Sequence, residues 1–242
     1  MKQVIVMAAG LGSRLKELTK ETPKPLLPIN GKPMLETNIE YMIAAGMDRV
    51  VVIVGYQREK FLYLKDKYAG QIEVVFVVNE RYADFNTVRS IYCAREEFIC
   101  DSWFTTADNF LTANLYEKYC GGDQSFYLLR PYQHFEKGEW TVKLDESRRF
   151  VEVDTQGHDG YAYSGVSYWT WEDLQFIREK LEEVDWEDEK TKKMYWDSIL
   201  LPHMKEFAVY ANVLTDNHDF YEVDDREDLQ ILSDHLKGIK TL

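Results

Sequence analysis

A chain of 242 residues, 45% of them hydrophobic, is long enough to bury one full core, and 13 glycines with six prolines are too few for a disordered polymer. A formal net charge of −13 argues against a general binder of nucleic acid or of anionic membrane, because both demand a basic face. Three cysteines (Cys93, Cys100 and Cys120) without CxxC spacing argue against a disulfide framework or a thiolate zinc site and fit a reducing, cytoplasmic setting.

The first half alternates strand and helix. Apolar runs at 4–8, 50–54, 72–78 and 103–107 read as buried strands. Leu35, Ile39, Met42 and Ile43 recur at helical spacing before Gly46, and Phe61, Leu62 and Leu64 mark a second helix closing near Gly70. Residues 87–98 read as a third helix, with Val88, Ile91 and Tyr92 on one face. This order implies an α/β fold whose sheet is mainly parallel, with right-handed crossovers.

The second half is expected to hold short strands at 125–129, 140–144, 150–154 and 161–169, with 140–144 and 150–154 forming a hairpin. Helices follow at 172–183 and 193–204, then strands at 207–213 and 220–223. The chain closes on a helix with Leu229, Leu232 and Leu236 on its buried side, which Asp225 can cap. No window approaches ~18 apolar residues, so no membrane insertion is expected.

Ligands of parallel α/β sheets bind beyond the carboxyl ends of the strands. Those ends carry Ala9-Gly10, Gly55-Tyr56, Asn79-Glu80 and Asp108-Asn109. The segment after the first strand is the most informative: Ala8-Ala9-Gly10-Leu11-Gly12-Ser13-Arg14-Leu15, then Thr22-Pro23-Lys24-Pro25-Leu26-Leu27. Its glycines let backbone N–H groups approach phosphates. Arg14 and Lys24 add charge, and two prolines stiffen the chain around Lys24. Residues 1–32 hold six Lys or Arg against two acids, a locally basic stretch suited either to a small polyanion or simply to solvent. The segment is neither GxxxxGK[ST] nor GxGxxG, since Leu15 stands where the third glycine belongs.

The glycine-rich stretch and its Thr22-Pro23-Lys24-Pro25-Leu26 continuation resemble the signature of the nucleoside-diphosphate-sugar pyrophosphorylase superfamily. A narrower resemblance, to bacterial CTP:phosphocholine cytidylyltransferases, runs from about residue 2 to 235. It rests on Tyr82-Ala83-Asp84-Phe85-Asn86, Ala107-Asp108-Asn109, Ser164-Gly165-Val166-Ser167-Tyr168-Trp169, Tyr195-Trp196-Asp197 and Tyr221-Glu222-Val223-Asp224. These resemblances imply a Rossmann-like, mixed and mainly parallel sheet flanked by helices, with a small β-rich acceptor-binding part. They imply a single domain, with a nucleotide-binding half (1–124) and an acceptor-binding half (125–242).

The implied reaction joins CTP to phosphocholine, giving CDP-choline and pyrophosphate by Mg²⁺-dependent in-line attack on the α-phosphate. An ionised phosphate nucleophile needs no general base, so catalysis rests on positioning and charge. By resemblance Lys24 and Arg14 meet the phosphates, and Ala8, Ala9, Gly10, Gly12 and Ser13 meet the nucleotide. Asn86 and Ser90 are candidates on the base side, although both could simply be polar residues near a helix start. Asp108 and Asp224 are the implied Mg²⁺ ligands, with the alternative that Asp224 caps the last helix.

Five of the six tryptophans lie between Trp140 and Trp196. Quaternary ammonium groups bind aromatic faces beside carboxylates, so Trp140, Tyr195, Trp196 and Asp197 are the candidate acceptor box. Trp169 and Trp171 are expected in the core. Two departures from the resemblance stand out: Thr106 occupies a place often acidic in the relatives, and Asn86-Thr87 replaces paired asparagines. Rival acceptors are a sugar 1-phosphate, phosphoethanolamine and 2-aminoethylphosphonate, and a rival of another class is a non-catalytic nucleotide-binding regulatory module.

Overall fold

A computed structural model describes residues 1–204 and 207–240. The elements follow in chain order: β1 (Gln3–Ala8), a small hairpin of β2 (Pro28–Ile29) and β3 (Lys32–Pro33), α1 (Met34–Ala44), β4 (Arg49–Val54), α2 (Tyr63–Lys67), β5 (Glu73–Val78), α3 (Thr87–Cys93), β6 (Ser102–Thr106), β7 (Asn109–Leu111), α4 (Leu115–Tyr119), β8 (Phe126–Leu144), β9 (Phe150–Trp169), α5 (Trp171–Glu182), β10 (Tyr210–Val213), β11 (Phe220–Glu222) and α6 (Arg226–Lys240).

Seven strands form one sheet in the order β10-β8-β9-β6-β1-β4-β5. Six run in one direction and only β9 opposes them. The expected mixed, mainly parallel α/β architecture is therefore present. Central strands β1 and β4 are buried along their whole length, which is why they read as continuous apolar runs rather than alternating ones.

Successive side chains of β1 go to opposite faces. Val4 and Val6 pack with Leu35, Ile39 and Met42 of α1 on one side. Ile5 and Met7 pack with Val88 and Ile91 of α3 and with Leu174, Ile177 and Leu181 of α5 on the other. Each such fully buried side chain contributes about 1.5–3 kcal/mol. A third, smaller cluster joins Ile29, Met34, Phe110, Val223 and Leu232. It holds α6 against the two-stranded sheet of β7 and β11, whose antiparallel register pairs Glu222 with Asn109.

Four expectations change. The strands expected at 125–129 and 140–144 are one 19-residue strand, β8, and those at 150–154 and 161–169 are one 20-residue strand, β9. Their outer parts form a ribbon that bends through several register shifts, which short-range alternation does not reveal. The helix expected at 193–204 is absent. Tyr195 is extended (φ −72°, ψ 152°), the Trp196 N–H donates to Thr87 Oγ1 at 3.0 Å, and Pro202 lacks a donor, so only short 3₁₀ turns form. The helix expected at 87–98 stops at Cys93 and is followed by a 3₁₀ turn. Trp171 is not in the core: it is 49% exposed at the first turn of α5, whereas Trp169 is fully buried. Among the described residues no helix is long and apolar enough to cross a membrane.

Candidate active site

The carboxyl ends of β1 and β6 and the loops beyond them open onto a cleft of about 570 Å³. One wall is the segment after β1. Gly12 takes a left-handed conformation (φ 62°, ψ 32°), and a Cβ there would stand 3.0 Å from both Lys24 Cβ and Thr19 Cγ2. The Thr19 hydroxyl donates to the Gly12 carbonyl at 2.9 Å, so the loop closes on itself and sets the stem of Lys24. Gly10 has nothing within 4 Å of a would-be Cβ and faces open space in the cleft.

The two glycines therefore predict different outcomes. Gly12→Ala should lower stability by about 1–2 kcal/mol through the positive φ, and should cut turnover with it. Gly10→Ala should leave the thermal melt unchanged and put a methyl group into the cleft, so it should weaken ligand binding there alone, which a binding titration beside a melting curve would separate.

At the floor of this wall the Lys24 ammonium donates to Asp224 Oδ1 at 2.7 Å and to Asp108 Oδ2 at 3.2 Å. Arg14 Nη1 reaches Asp224 Oδ2 at 2.6 Å. Burial alone would lower the Lys24 pKa, but Asp108 and Asp224 outweigh it and hold the ammonium above its ordinary value. Burial would likewise push Asp108 up, and Lys24 beside it brings it below the usual carboxylate range.

Asp108 and Asp224 meet because β7 and β11 pair: the Val223 N–H donates to the Asp108 carbonyl at 2.9 Å. The cap alternative for Asp224 is resolved by its neighbour. Asp225 Oδ1 accepts from the N–H groups of Glu227 (2.8 Å) and Asp228 (3.2 Å), and Asp228 Oδ2 accepts from those of Asp224 and Asp225. The Asp224 carboxylate is left to face the cleft.

Glu222 is a site residue that sequence reasoning missed. One oxygen each from Asp108, Glu222 and Asp224 lies within 4.8 Å of the others. Partial withdrawal from water, with 45% of the side chain still exposed, and then the charges of Asp108 and Asp224 push the Glu222 carboxyl up, while Arg130 at 3.1 Å pulls the other way. The available signal was spacing: Glu222 ends β11 two residues before Asp224, the interval that returns side chains to one side of extended chain. Asp108 Oδ1 is buried and has no hydrogen-bond partner among the described residues. An unpaired buried carboxylate oxygen beside two further carboxylates is a donor set that fits a hard divalent cation.

The other end of the cleft is aromatic. Trp140 of β8 meets Tyr163 of β9 edge to face, with centroids 5.7 Å apart, and meets Tyr195 at the same distance. Tyr127 stacks near Trp196 and contacts Tyr163 at 4.8 Å. Asp197 lies among these rings. Burial pushes its carboxyl up to about 6, against the Tyr127 hydroxyl, which donates to it at 3.4 Å, and a backbone hydrogen bond. The only basic side chains lining the cleft among the described residues are Arg14 and Lys24.

Of the residues singled out from sequence, Ala8, Gly10, Gly12, Ser13, Arg14, Lys24, Asn86, Asp108, Trp140, Tyr195, Trp196, Asp197 and Asp224 all line this one cleft. Two do not. Ala9 is buried in the core beneath it, its carbonyl accepting from the Tyr56 N–H at 3.1 Å. Ser90 is buried behind the wall, where its hydroxyl accepts from Asn79 Nδ2 at 3.1 Å. Asn86 lines the cleft but also caps α3, accepting from the Thr87 N–H at 2.7 Å. Trp196 is 4% exposed and packs on Phe104 and Trp169, so it is chiefly core with an edge in the site. Tyr127, Tyr163 and Glu139 join the lining unpredicted: the first two lie in expected strands whose facing was not read, and Glu139 lies in the stretch of β8 between two expected strands.

A family model described as nucleotidyl transferase matches residues 3–122. The chain is 32% identical to the choline-phosphate cytidylyltransferase of Streptococcus pneumoniae, over 98% of this chain and 99% of that one. It is 34% identical to the 2-aminoethylphosphonate cytidylyltransferase of Lancefieldella rimae, over 84% of this chain and 80% of that one. A solved structure of CTP:phosphocholine cytidylyltransferase from Streptococcus pneumoniae superposes with a TM-score of 0.86 at 32% identity, covering 97% of this chain and 99% of the other.

Proposed function

Because the chain belongs to the nucleotidyl transferase family, as a relative of the choline-phosphate cytidylyltransferases, we propose that it transfers the cytidylyl group of CTP to phosphocholine, releasing pyrophosphate. One observation carries the choice of acceptor: a group of Trp140, Tyr163 and Tyr195 that lines the cleft together with the Asp197 carboxylate. Aromatic faces attract a quaternary ammonium, which can donate no hydrogen bond, and a nearby carboxylate adds charge attraction. A sugar acceptor would want hydroxyl-binding amides and carboxylates instead.

In this reading residues 1–124 carry the nucleotide and 125–242 the acceptor, with Asp224 returning to the nucleotide side. Asp108 and Asp224, with Glu222 beside them, would hold Mg²⁺, which when bound neutralises charge developing on the transferring phosphate. Lys24 and Arg14 would exchange their carboxylate partners for phosphate oxygens. The backbone at Ala8, Gly10, Gly12 and Ser13 would line the nucleotide, and Asn86 would flank the base. The acceptor phosphate is largely ionised near neutral pH and attacks without a general base, held in line by the two subsites.

A second reading, 2-aminoethylphosphonate as acceptor, is favoured by the Lancefieldella rimae relative and by Glu139, which adds a carboxylate beside Trp140 able to accept from a primary ammonium. A pyrophosphate-release matrix decides between them. It sets each nucleoside triphosphate against phosphocholine, phosphoethanolamine, 2-aminoethylphosphonate and glucose 1-phosphate, with Mg²⁺ or with EDTA. Highest kcat/KM for CTP with phosphocholine, lost in EDTA, is the expected result. Preference for a sugar phosphate would sink the choline reading, and no turnover with any pair would sink the enzymatic one.

Asp197 gives a pH signature. Its folded pKa, about 6, lies above the ordinary carboxylate value, so the charged form that attracts the ammonium is lost as pH falls through 6. The KM for phosphocholine should therefore rise below pH 6, and Asp197→Asn should raise it above pH 6, leave it little changed well below, and so flatten the profile. The sign for stability is opposite. A raised carboxyl pKa stabilises the fold fully below the unfolded value, and that contribution is lost as pH rises through about 6. Asp197→Asn should therefore melt higher than the wild type at pH 8.

A further inference from the structure

The acceptor end of the cleft depends on a ring, Trp140, that stands on a ribbon rather than on the central sheet, so something must hold that ribbon in register. The pairing of β8 with β9 is unusual there. Thr141 is partnered by Asp154 and also by Ala162, and Val142 by Val153 and also by Tyr161. The outer arm of β8 is thus a middle strand, with one stretch of β9 on each side. Such a fold-back is possible only where the flanking backbone comes close. Thr141 is 5% exposed, pressed against Gly157 and Gly160. A Cβ on Gly157 would land on Thr141 Oγ1 and stand 3.0 Å from its Cβ and 3.1 Å from its Cγ2, and a Cβ on Gly160 would stand 3.0 Å from the Thr141 Cβ. Both approaches are tighter than packed side chains tolerate.

Side chains alternate along a strand, so Thr141 turns toward the glycines while Trp140 next to it turns toward the cleft. A displacement of Thr141 must carry Trp140 with it. The ring of Trp140 touches Tyr163, on the β9 stretch beyond the fold-back, and Tyr195, on a separate segment. Its place against both therefore reports the register of the ribbon.

We propose that Thr141, seated in the notch left by Gly157 and Gly160, is the positioning residue that sets the Trp140 ring in the acceptor end of the cleft, so that acceptor affinity is controlled by a backbone contact on the far side of the ribbon. The functional half of this rests on the acceptor reading above; the geometric half does not. Since neither glycine lines the cleft, the effect should fall on the acceptor and spare the nucleotide.

The test uses the full chain labelled with 5-fluorotryptophan, with the Trp140 resonance identified by Trp140→Phe. Gly157→Ala should shift or broaden that resonance, raise KM for phosphocholine at least tenfold, and change KM for CTP less than twofold. Adding Thr141→Ala to Gly157→Ala should return both the resonance and the phosphocholine KM part of the way to the wild-type values, because it removes the Oγ1 and Cγ2 contacts and leaves only the 3.0 Å approach to Cβ. A merely structural glycine would instead lower soluble yield or all kinetic constants together, without rescue, and that result overturns the proposal. An unmoved Trp140 resonance with unchanged KM also overturns it. A moved resonance with KM unchanged for both phosphocholine and 2-aminoethylphosphonate would keep the wedge and overturn its link to the acceptor. If Gly157→Ala does not fold, Thr141→Ala alone serves: loss of the wedge should broaden the Trp140 resonance, and an unaltered line overturns the proposal. Wild-type enzyme inactive with every acceptor would refute the acceptor reading, while the resonance would still report on the wedge.

Discussion

Asp108→Ala should reduce pyrophosphate release by roughly 10³-fold or more, a loss of at least about 4 kcal/mol of transition-state stabilisation, with the melting temperature nearly unchanged. The kinetic loss follows from the position of the carboxylate: Oδ2 holds Lys24, and Oδ1 is the buried, unpaired oxygen suited to a cation. The fold should tolerate the change because the structural contact here belongs to the backbone, whose carbonyl receives the Val223 N–H and survives the substitution. Lys24 keeps its shorter contact, to Asp224 at 2.7 Å, so the stability lost with the Asp108 carboxylate should be small. Pyrophosphate release measured alongside a thermal melt checks both halves, and near-normal turnover would move the metal site elsewhere.

Lys24→Ala is the second large effect, and it should damage stability as well as rate. Turnover should fall by about 10³-fold if, as proposed, this ammonium meets the phosphates. Breaking a fully buried ion pair costs about 3–5 kcal/mol; with Asp108 and Asp224 side chains 28% and 19% exposed, about 1–3 kcal/mol is the reasonable expectation. The variant leaves Asp108, Glu222 and Asp224 facing one another with Arg14 as the nearest compensating cation. Millimolar Mg²⁺ should therefore raise the melting temperature of Lys24→Ala more than that of the wild type, since ammonium and metal ion would share the same two carboxylates. An equal response in both proteins would show that they do not compete.

The first half of the chain was the more legible part. Its central strands β1 and β4 are buried on both faces and read as unbroken apolar runs, and the loop after β1 needs a glycine at the positive φ of position 12, so each constraint leaves a mark on local sequence. Asp108 could be placed at a strand end for the same reason. Glu222 and Asp224 were harder, because what makes them a cluster is the pairing of β7 with β11 across more than a hundred residues. Asp225 beside Asp224 left cap and ligand undivided until the hydrogen bonds assigned the cap to Asp225.

The second half of the chain was legible in composition but not in shape. The tryptophans pointed to a box, yet Trp196 proved mainly core and Trp171 mainly exposed, because aromatic content alone does not say which way a ring faces. The ribbon was divided into four short strands where two long bent ones exist, since a bend by register shift keeps strand-forming residues throughout. The helix expected at 193–204 failed because the apolar spacing of Trp196, Ile199 and Leu200 is met by successive 3₁₀ turns on the core.

The β7–β11 pairing also sets when activity can exist. The Lys24–Asp224 contact joins groups 200 positions apart, among the most distant that the chain makes. On a ribosome, the seven-stranded sheet could be nearly complete while its carboxylate cluster still lacked two members, so catalytic competence would arrive only as the final elements emerge. The same order should run in reverse under denaturant. α6 packs on the smallest of the three apolar clusters, whereas β11 also sets Phe220 into the first, so a local opening confined to α6 and the turn before it would displace Asp224 and silence the enzyme while the sheet, and its spectroscopic signal, stayed intact.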